Sequence, residues 1–304
     1  MEQKGRIPFV KFQWFFIAIS AVLVIASLAV MITKGLNYGI DFKGGARLVY
    51  QFQQPVNEGE IKTILSGINM SDAQVVRYGE ASDNRMAIKV EKAAEHAQVG
   101  VVVTQALEGA FGAGKVELQE EETVGPRVGK ELRKKAWLAV IFAVILMLIY
   151  IGYRFDFLFA PGAVVALIHD VLITLGVFAL LGKEVNLTIL AAFLTIVGYS
   201  INDTIVVFDR IRENQHGISR GTIGKVVNLS LNQTLARTIV TSLTVLFVLV
   251  VIFLKGGGAL HNFAFALIIG MVLGTYSSLF IATPCYVGMY KAAPSIRHLF
   301  GSKR

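Results

Sequence analysis

The residues with the clearest chemical potential in this chain are ionisable side chains inside long apolar runs. Asp203 lies within the apolar run 185–208, and Arg237 lies where the next run begins. A charge in the middle of a bilayer is costly, so an ionisable residue there is a functional candidate by default. Burial disfavours an ionised carboxylate and a neighbouring cation favours it, whereas Arg keeps its charge. The sequence therefore predicts a proton relay in which Asp203 exchanges protons and Arg237 acts as an electrostatic gate.

A second polar site is predicted close to the first. His169 and Asp170 lie near the middle of the run 157–181, and Asn202 precedes Asp203. His169 is equally well explained as a hydrogen-bonding residue between helices, whereas Asp203 must face helices, water or a cation. Paired carboxylates are also the raw material of an aspartyl protease, but the local strings IHD and IND lack the YD and GxGD motifs of that class. We therefore predict that the chain is not an enzyme.

The composition is typical of a membrane protein. Hydrophobic residues make up 54% of the 304 residues and charged residues only 16%, whereas ordinary globular chains carry roughly a quarter charged residues. A net charge of +8 would form one basic face in a nucleic-acid-binding protein, but here many of the cations flank apolar runs, so no nucleic acid partner is predicted. Cys285 is the single cysteine and is predicted to be a small buried side chain. It can form neither an intrachain disulfide nor a zinc site, and no metal or cofactor is predicted.

Six apolar runs approach or exceed the length needed to cross a bilayer, which is about 20 residues. These runs are 12–33, 136–153, 157–181, 185–208, 238–254 and 262–290. The first exceeds the roughly 7–15 apolar residues of a signal peptide and no A-x-A site follows it, so it is predicted to be an uncleaved anchor. Pro284 predicts a kink in the last run, or an earlier end to it.

Lys and Arg are concentrated in three segments that six crossings would place on one side of the membrane. These segments are the N-terminus 1–11, the loop 209–237 and the tail 291–304. The positive-inside rule makes that side the cytoplasm, so both termini are predicted to be cytoplasmic and the segment 34–135 extracytoplasmic. Basic residues within 130–135 oppose this assignment, but the rule is weaker next to a long translocated segment.

The segment 34–135 is the one stretch with the composition of a soluble domain. A strand-like alternation runs through Leu48, a helical pattern follows Asn57, and two short strands are predicted at 74–78 and 85–90. A second helix and a closing strand complete the order β-α-β-β-α-β, which predicts a ferredoxin-like α+β fold. That fold implies no chemistry by itself. The predicted fold class is a six-span helical membrane protein with one extracytoplasmic α+β domain.

The string NYGIDFKGG joins the first span to this domain. Its glycines, Gly39, Gly44 and Gly45, permit tight turns, and Asp41 and Lys43 are predicted to pair across them. A rigid joint between the span and the first strand is favoured over direct contact with a substrate. Such a joint would also connect the relay to the domain.

Three strings carry a resemblance to a known family: VGYSINDTIVVFDRIREN at 197–214, NYGIDFKGG at 37–45 and ALIHD at 166–170. They resemble the SecF members of the SecD/SecF family of the bacterial Sec system, within the RND superfamily, and the resemblance extends over about 34–290. It implies six spans with a periplasmic domain after the first, and a complex with SecD in the bacterial inner membrane. It also implies assistance to SecYEG and SecA in preprotein translocation, driven by the proton motive force, or by sodium in some relatives.

The resemblance also assigns roles to individual residues. The family's functional Asp in the GYSxND string corresponds to Asp203, and its functional Arg in the NQTLART string corresponds to Arg237. SecD supplies a further intramembrane Asp, so this chain is expected to hold only part of the relay. The alternative is a small RND-like proton-coupled exporter of hydrophobic solutes. Such exporters have paired six-span halves, so this chain would have to self-associate.

Overall fold

The computed structural model describes residues 7–79, 83–91, 98–155, 158–215 and 222–292. Parts of three segments used to predict the topology, the N-terminus, the loop 209–237 and the tail, lie outside the described residues. Part of the predicted hairpin turn after Gly79 and the first residue of the predicted span 157–181 also lie outside them.

The chain forms one long helix, a mixed α+β unit and then a series of long helices. In order, the elements are α1 Phe9–Lys34, β1 Asn37–Tyr38, α2 Ile40–Lys43, β2 Gly45–Phe52, α3 Glu58–Gly67, β3 Gln74–Arg77, β4 Arg85–Val90, α4 Val99–Phe111, β5 Val116–Val124, α5 Pro126–Arg154, α6 Ala160–Leu180, β6 Glu184–Val185, α7 Leu187–Asn214, α8 Ile223–Lys255, α9 Gly257–Ser277, a π-helical turn Ser278–Ala282 and α10 Thr283–Ala292. Among the described residues, six helices are long and apolar enough to cross a membrane; they are α1, α5, α6, α7, α8 and the combined helix Leu260–Ala292.

The long helices differ in how much of their surface is buried. Between 50% and 56% of the apolar stretch is buried in α6, α7 and the last span, against 11% in α1, α5 and α8. Helices α6, α7 and the last span therefore form the centre of the bundle. Both α7 and α8 pack on α9, which makes up most of that last span. Helices α1, α5 and α8 thus expose extended apolar surface, which marks contact with lipid or with a partner protein.

The last span is interrupted by the π-helical turn Ser278–Ala282. Pro284 follows this turn, has no N–H to donate, and its ring would clash with the carbonyl of Phe280 in a regular helix. A π-turn is a common local adjustment inside a helix, and here it is the irregularity that accompanies Pro284. A Cβ added at Gly162 would lie 2.6 Å from the Ala282 carbonyl oxygen, so α6 packs directly against the turn.

The α+β unit consists of β2, α3, β3, β4, α4 and β5. Its strands lie in the order β3-β4-β2-β5, and every neighbouring pair is antiparallel. Asn57 caps α3, because its Oδ1 accepts a hydrogen bond from Gly59 N at 2.9 Å. One face of the sheet packs against the two helices, and this core includes Leu48, Ile61 and Leu107.

The unit is joined to the bundle where α2 meets the start of α5. Gly44 has a φ of +85°, and a Cβ added to it would lie 2.7 Å from Pro126 Cα. A Cβ added at Gly129 would lie 2.8 Å from Gly44 N. Two backbones therefore touch here, at an approach that glycine permits and larger residues do not.

We expect Gly44→Ala to lower the free energy of unfolding by about 1–3 kcal/mol, because the added methyl meets both an unfavourable φ and the backbone of α5. Thermal unfolding in detergent measures the effect. Gly114→Ala is the matched control, since Gly114 also has a positive φ, +75°, but nothing lies within 4 Å of an added Cβ. Equal losses in the two variants would show that the contact with α5 is unimportant.

Candidate functional site

Asp203 lies on α7 where this helix meets α8 and α9. Its Oδ2 accepts long hydrogen bonds from the Ser242 hydroxyl on α8, at 3.4 Å, and from the Thr275 hydroxyl on α9, at 3.5 Å. These two hydroxyls lie 2.8 Å apart, so one donates to the other and only the second has its proton free for the carboxylate. The half-buried carboxylate is therefore held by a pair of neutral hydroxyls, one from each neighbouring helix.

Arg237 lies on α8, about one and a half turns before Ser242. It interacts electrostatically with Asp203, but among the ion pairs of the described residues there is none within 4.0 Å between these two side chains. Arg237 is exposed, as is Asn202 on α7. The structure thus brings Arg237 into the neighbourhood of Asp203 without closing a salt bridge.

A small cavity lies beside Asp203 at the junction of α7, α8 and α9. Its volume is about 20 Å³, which is enough for one water molecule. Its polar lining includes Asp203, Asn202, Ser200, Ser242 and Thr275. An ionisable carboxylate, several hydroxyls and room for water are the elements that short-range proton transfer requires.

Asp170 lies deeper in the bundle, on α6, and its exposed fraction is 0%. Its Oδ2 accepts hydrogen bonds from Ser200 on α7 at 2.6 Å and from Ser277 on α9 at 2.7 Å. Its Oδ1 lies 2.9 Å from Nδ1 of His169. The two carboxylates of the bundle therefore have separate hydrogen-bond partners, and Ser200 is the residue that stands between them.

His169 is almost fully buried and stacks on the Tyr276 ring, with the ring centroids 5.9 Å apart. The Tyr276 hydroxyl contacts the Ser20 hydroxyl at 2.8 Å and donates to the Phe16 carbonyl oxygen at 2.7 Å, so the polar cluster reaches α1. Neither Tyr276 nor Ser277 is among the site residues predicted from the sequence. The signal was present, since GTYSS is a polar string inside an otherwise apolar span.

Two glycines on α9 allow the helices that carry these groups to meet. A Cβ added at Gly270 would overlap the Ile196 side chain on α7, and one added at Gly274 would lie 3.3 Å from Ser200 Cα. Small residues four apart let helix backbones approach closely in a membrane. The approach of α9 to α7 is what brings Thr275 and Ser277 within reach of the two carboxylates.

Two family models match this chain. The C-terminal model of the protein export membrane proteins SecD/SecF covers residues 102–292, and the SecD/SecF GG motif covers residues 29–56. The chain belongs to the SecD/SecF family.

Two of its relatives within that family are SecF proteins. The protein translocase subunit SecF of Desulfurispirillum indicum is 42% identical over 91% of this chain and 90% of its own length. The subunit SecF of Vibrio alginolyticus is 41% identical over 93% of this chain and 90% of its own length. Each of these two alignments therefore covers about nine tenths of this chain and of the relative.

Solved structures of SecDF share the fold. The translocon-associated SecDF of Thermus thermophilus is 34% identical over 95% of this chain, with a TM-score of 0.82. SecDF in a super-membrane-facing form is 33% identical over 98% of this chain, with a TM-score of 0.70. This chain spans only 39% and 40% of those two SecDF chains.

The GG motif of this SecF-family chain ties the α+β unit to the start of α7. The Asp41 carboxylate accepts a hydrogen bond from Leu187 N, the first residue of α7, at 2.8 Å. A carboxylate is stabilising at this end of a helix because the free N–H groups carry partial positive charge. Lys43 pairs instead with Glu91 at 3.0 Å. The predicted pairing of Asp41 with Lys43 is therefore wrong.

Two further contacts reinforce the joint. Strand β1 pairs in parallel with β6, the short strand immediately before α7, and Gly39 N donates to the Val185 carbonyl oxygen at 2.9 Å. Glu184 of β6 forms an ion pair with Lys89 of β4, on the open face of the sheet. A Cβ at Gly39 would overlap the Glu184 carboxylate, so the first glycine of the motif makes room for this ion pair.

We expect Gly270→Ala to destabilise the bundle by about 1–3 kcal/mol, the usual cost of overpacking a close contact. The added methyl would force α9 away from Ile196. Gly198→Ala on α7 is the control, because nothing lies within 4 Å of an added Cβ there and alanine favours a helix by up to about 1 kcal/mol. Thermal unfolding in detergent compares the two; a Gly270→Ala protein as stable as Gly198→Ala would contradict the packing argument.

Proposed function

We propose that this SecF-family chain couples proton movement across the bacterial inner membrane to protein export, with Asp203 as the proton-binding group and Arg237 as its electrostatic gate. The observation that carries the proposal is the setting of Asp203. It is a half-buried carboxylate between three apolar helices, beside a cavity with room for one water, and it has hydroxyl partners and no ion pair with Arg237.

Protonation of Asp203 would change how three helices are held together. The ionised carboxylate attracts Arg237 and accepts from Ser242 and Thr275, whereas the neutral acid loses the attraction to the cation. Moving one charge through 100 mV releases about 2.3 kcal/mol, which biases a two-state equilibrium about fiftyfold. A single proton would therefore bias the arrangement of α7, α8 and α9 by up to this factor.

Helix α7 is the element that would transmit this shift. It carries Asp203 about 24 Å from its first residue, at 1.5 Å per residue, and that first residue is held by Asp41 of the GG motif. The Lys89–Glu184 ion pair and the contact of Gly44 with α5 add two further connections to the α+β unit. Movement of α7 along its axis would therefore displace the α+β unit.

We assign the α+β unit to the periplasmic side, in a ferredoxin-like fold, and both termini to the cytoplasm. The connectivity β2-α3-β3-β4-α4-β5 and the strand order support that fold class. The proposed partners are SecD, which would supply a further intramembrane Asp, the SecYEG translocon with SecA, and the translocating preprotein. This chain spans about two fifths of the SecDF chains it matches, which supports a partner of similar architecture. The proposed coupling ion is the proton, with sodium as the alternative.

The separation of the two carboxylates argues against an aspartyl protease. Such an enzyme needs two acids that share one proton. Here Asp170 accepts from Ser200 and Ser277, and Asp203 accepts from Ser242 and Thr275. A small RND-like exporter remains the alternative function, and co-purification with a SecD-like protein distinguishes it from a translocase subunit.

We expect Asp203→Asn to abolish the gain in preprotein export that a proton gradient produces, because an amide has the size of the acid but cannot ionise. Export into inverted membrane vesicles is measured with and without a gradient, after ATP-driven insertion is complete. Asp72→Asn, which alters an exposed carboxylate of the α+β unit, should retain the gain. If Asp203→Asn also retains the full gain, the relay assignment is wrong.

We expect Asp41→Ala to uncouple proton movement from preprotein export. Proton release from the vesicles through Asp203, driven by the gradient, should continue, but the gradient-dependent gain in export should fall, because α7 loses a capping bond whose removal costs about 0.5–2 kcal/mol. Lys43→Ala is the control from the same motif, since its pair with Glu91 is exposed. Loss of proton release and export together would contradict a role in transmission.

A further inference from the structure

His169 and Asp170 form a buried pair whose protonation the Asp203 relay leaves unused. Asp170 is 0% exposed and His169 is 5% exposed. An isolated ionised carboxylate is very costly to bury, and a buried pair is tolerated when its charges compensate. The pair is neutral overall only when it holds one proton beyond those of a neutral imidazole and a carboxylate. Either residue can carry that proton.

Ser200 connects this pair to the Asp203 site. It lies three residues before Asp203 on α7, and residues at this spacing share one face of a helix. Its hydroxyl donates to Asp170 Oδ2 at 2.6 Å, and Ser200 is also one of the residues that line the cavity of about 20 Å³ beside Asp203. One water in that cavity would complete a chain of hydrogen bonds between the two carboxylates.

We propose that the His169–Asp170 pair is a second proton-binding site in series with Asp203, reached through Ser200. The inference rests on the proposed function of Asp203. In the transfer, Asp203 gives its proton to the cavity water, and the water gives a proton to the Ser200 oxygen. Ser200 passes its own hydroxyl proton to Asp170 Oδ2. Asp203 ends ionised, the pair gains one proton, and the serine and the water are unchanged.

Nε2 of His169 is the atom from which a proton could leave this second site. It is a buried nitrogen without a hydrogen-bond partner among the described residues, while Nδ1 contacts Asp170. In the tautomer that carries its proton on Nε2, Nδ1 can take a proton that arrives at Asp170 while Nε2 gives its own proton to a water molecule admitted beside it, so the imidazole ends neutral. This route distinguishes a relay from a histidine that only fastens two helices together.

The ionisable groups around the pair come from three other helices. Tyr276 on α9 stacks on His169, and its hydroxyl is held by Ser20 and the Phe16 carbonyl on α1. Asp203 on α7 and Arg237 on α8 lie beyond Ser200. Among the described residues no Lys or Arg forms an ion pair with Asp170, whose partners are His169 and two serines.

The direct test is Asp170→Asn, measured as gradient-dependent export into inverted vesicles and as gradient-driven proton release from them. Both should be lost. Because an altered buried carboxylate can also prevent folding, Ser200→Ala and Ser277→Ala provide the sharper comparison. Each removes one hydroxyl from the same Asp170 oxygen, at 2.6 and 2.7 Å, but only Ser200 lines the cavity beside Asp203.

We expect the loss of proton release to be at least about tenfold larger in Ser200→Ala than in Ser277→Ala, because a missing proton carrier removes a transfer step. Ser278→Ala, whose hydroxyl bonds only within its own helix, controls for the loss of a buried serine. Equal losses in Ser200→Ala and Ser277→Ala would assign Asp170 a structural role and overturn the proposal, as would retention of proton release in both. If Asp203→Asn loses gradient-driven proton release and the two serine variants lose it equally, this inference alone is overturned. If Asp203→Asn retains proton release, the proposed function itself is overturned.

Discussion

The structure depends on placing carboxylates among apolar helices without giving them a permanent counter-ion. Hydroxyl groups solve this problem, because they donate to an ionised acid, tolerate a protonated one and carry no charge of their own. They are short, however, so they reach a carboxylate only where helix backbones come close. Gly270 and Gly274 provide that closeness. The small residues of α9 and the acids of α6 and α7 therefore form one functional arrangement.

The same logic explains why Arg237 stands apart from Asp203. A closed ion pair in a low-dielectric interior holds the acid ionised and fixes the helices that carry it. An arginine that acts at longer range, as here, influences the acid without fixing it. The proposed relay needs an acid that gains and loses a proton repeatedly, and weak, adjustable partners suit such a group. The long contacts from Ser242 and Thr275 have that character.

The sequence predicts well what depends on local pattern. Side-chain alternation gives β4 its observed range Arg85–Val90, and the cost of a charge in an apolar run predicts that Asp203 and Asp170 face other helices, where both carboxylates have hydroxyl partners. Partners distant in the chain are a different matter. The local pattern suggests a pair between Asp41 and Lys43, two residues away, but Asp41 binds Leu187, which is 146 residues away. The Ser277–Asp170 contact spans 107 residues. Such pairings follow from how helices pack, which periodicity does not report.

The π-helical turn at Ser278–Ala282 has a consequence for how the last span divides its surface. A π-turn inserts one residue relative to an α-helical turn, and one residue corresponds to a rotation of about 100°. The positions in the sequence whose side chains face α6 therefore follow one register before the turn and a different register after it. Above the turn Ser277 meets Asp170, and below it Tyr286 stacks on Phe159 at 4.1 Å. In a regular helix these two residues, nine positions apart, would point about 180° from each other, and the inserted residue reduces that angle to roughly 80°. The turn thereby lets one helix present both a hydroxyl and an aromatic ring to the side where α6 lies.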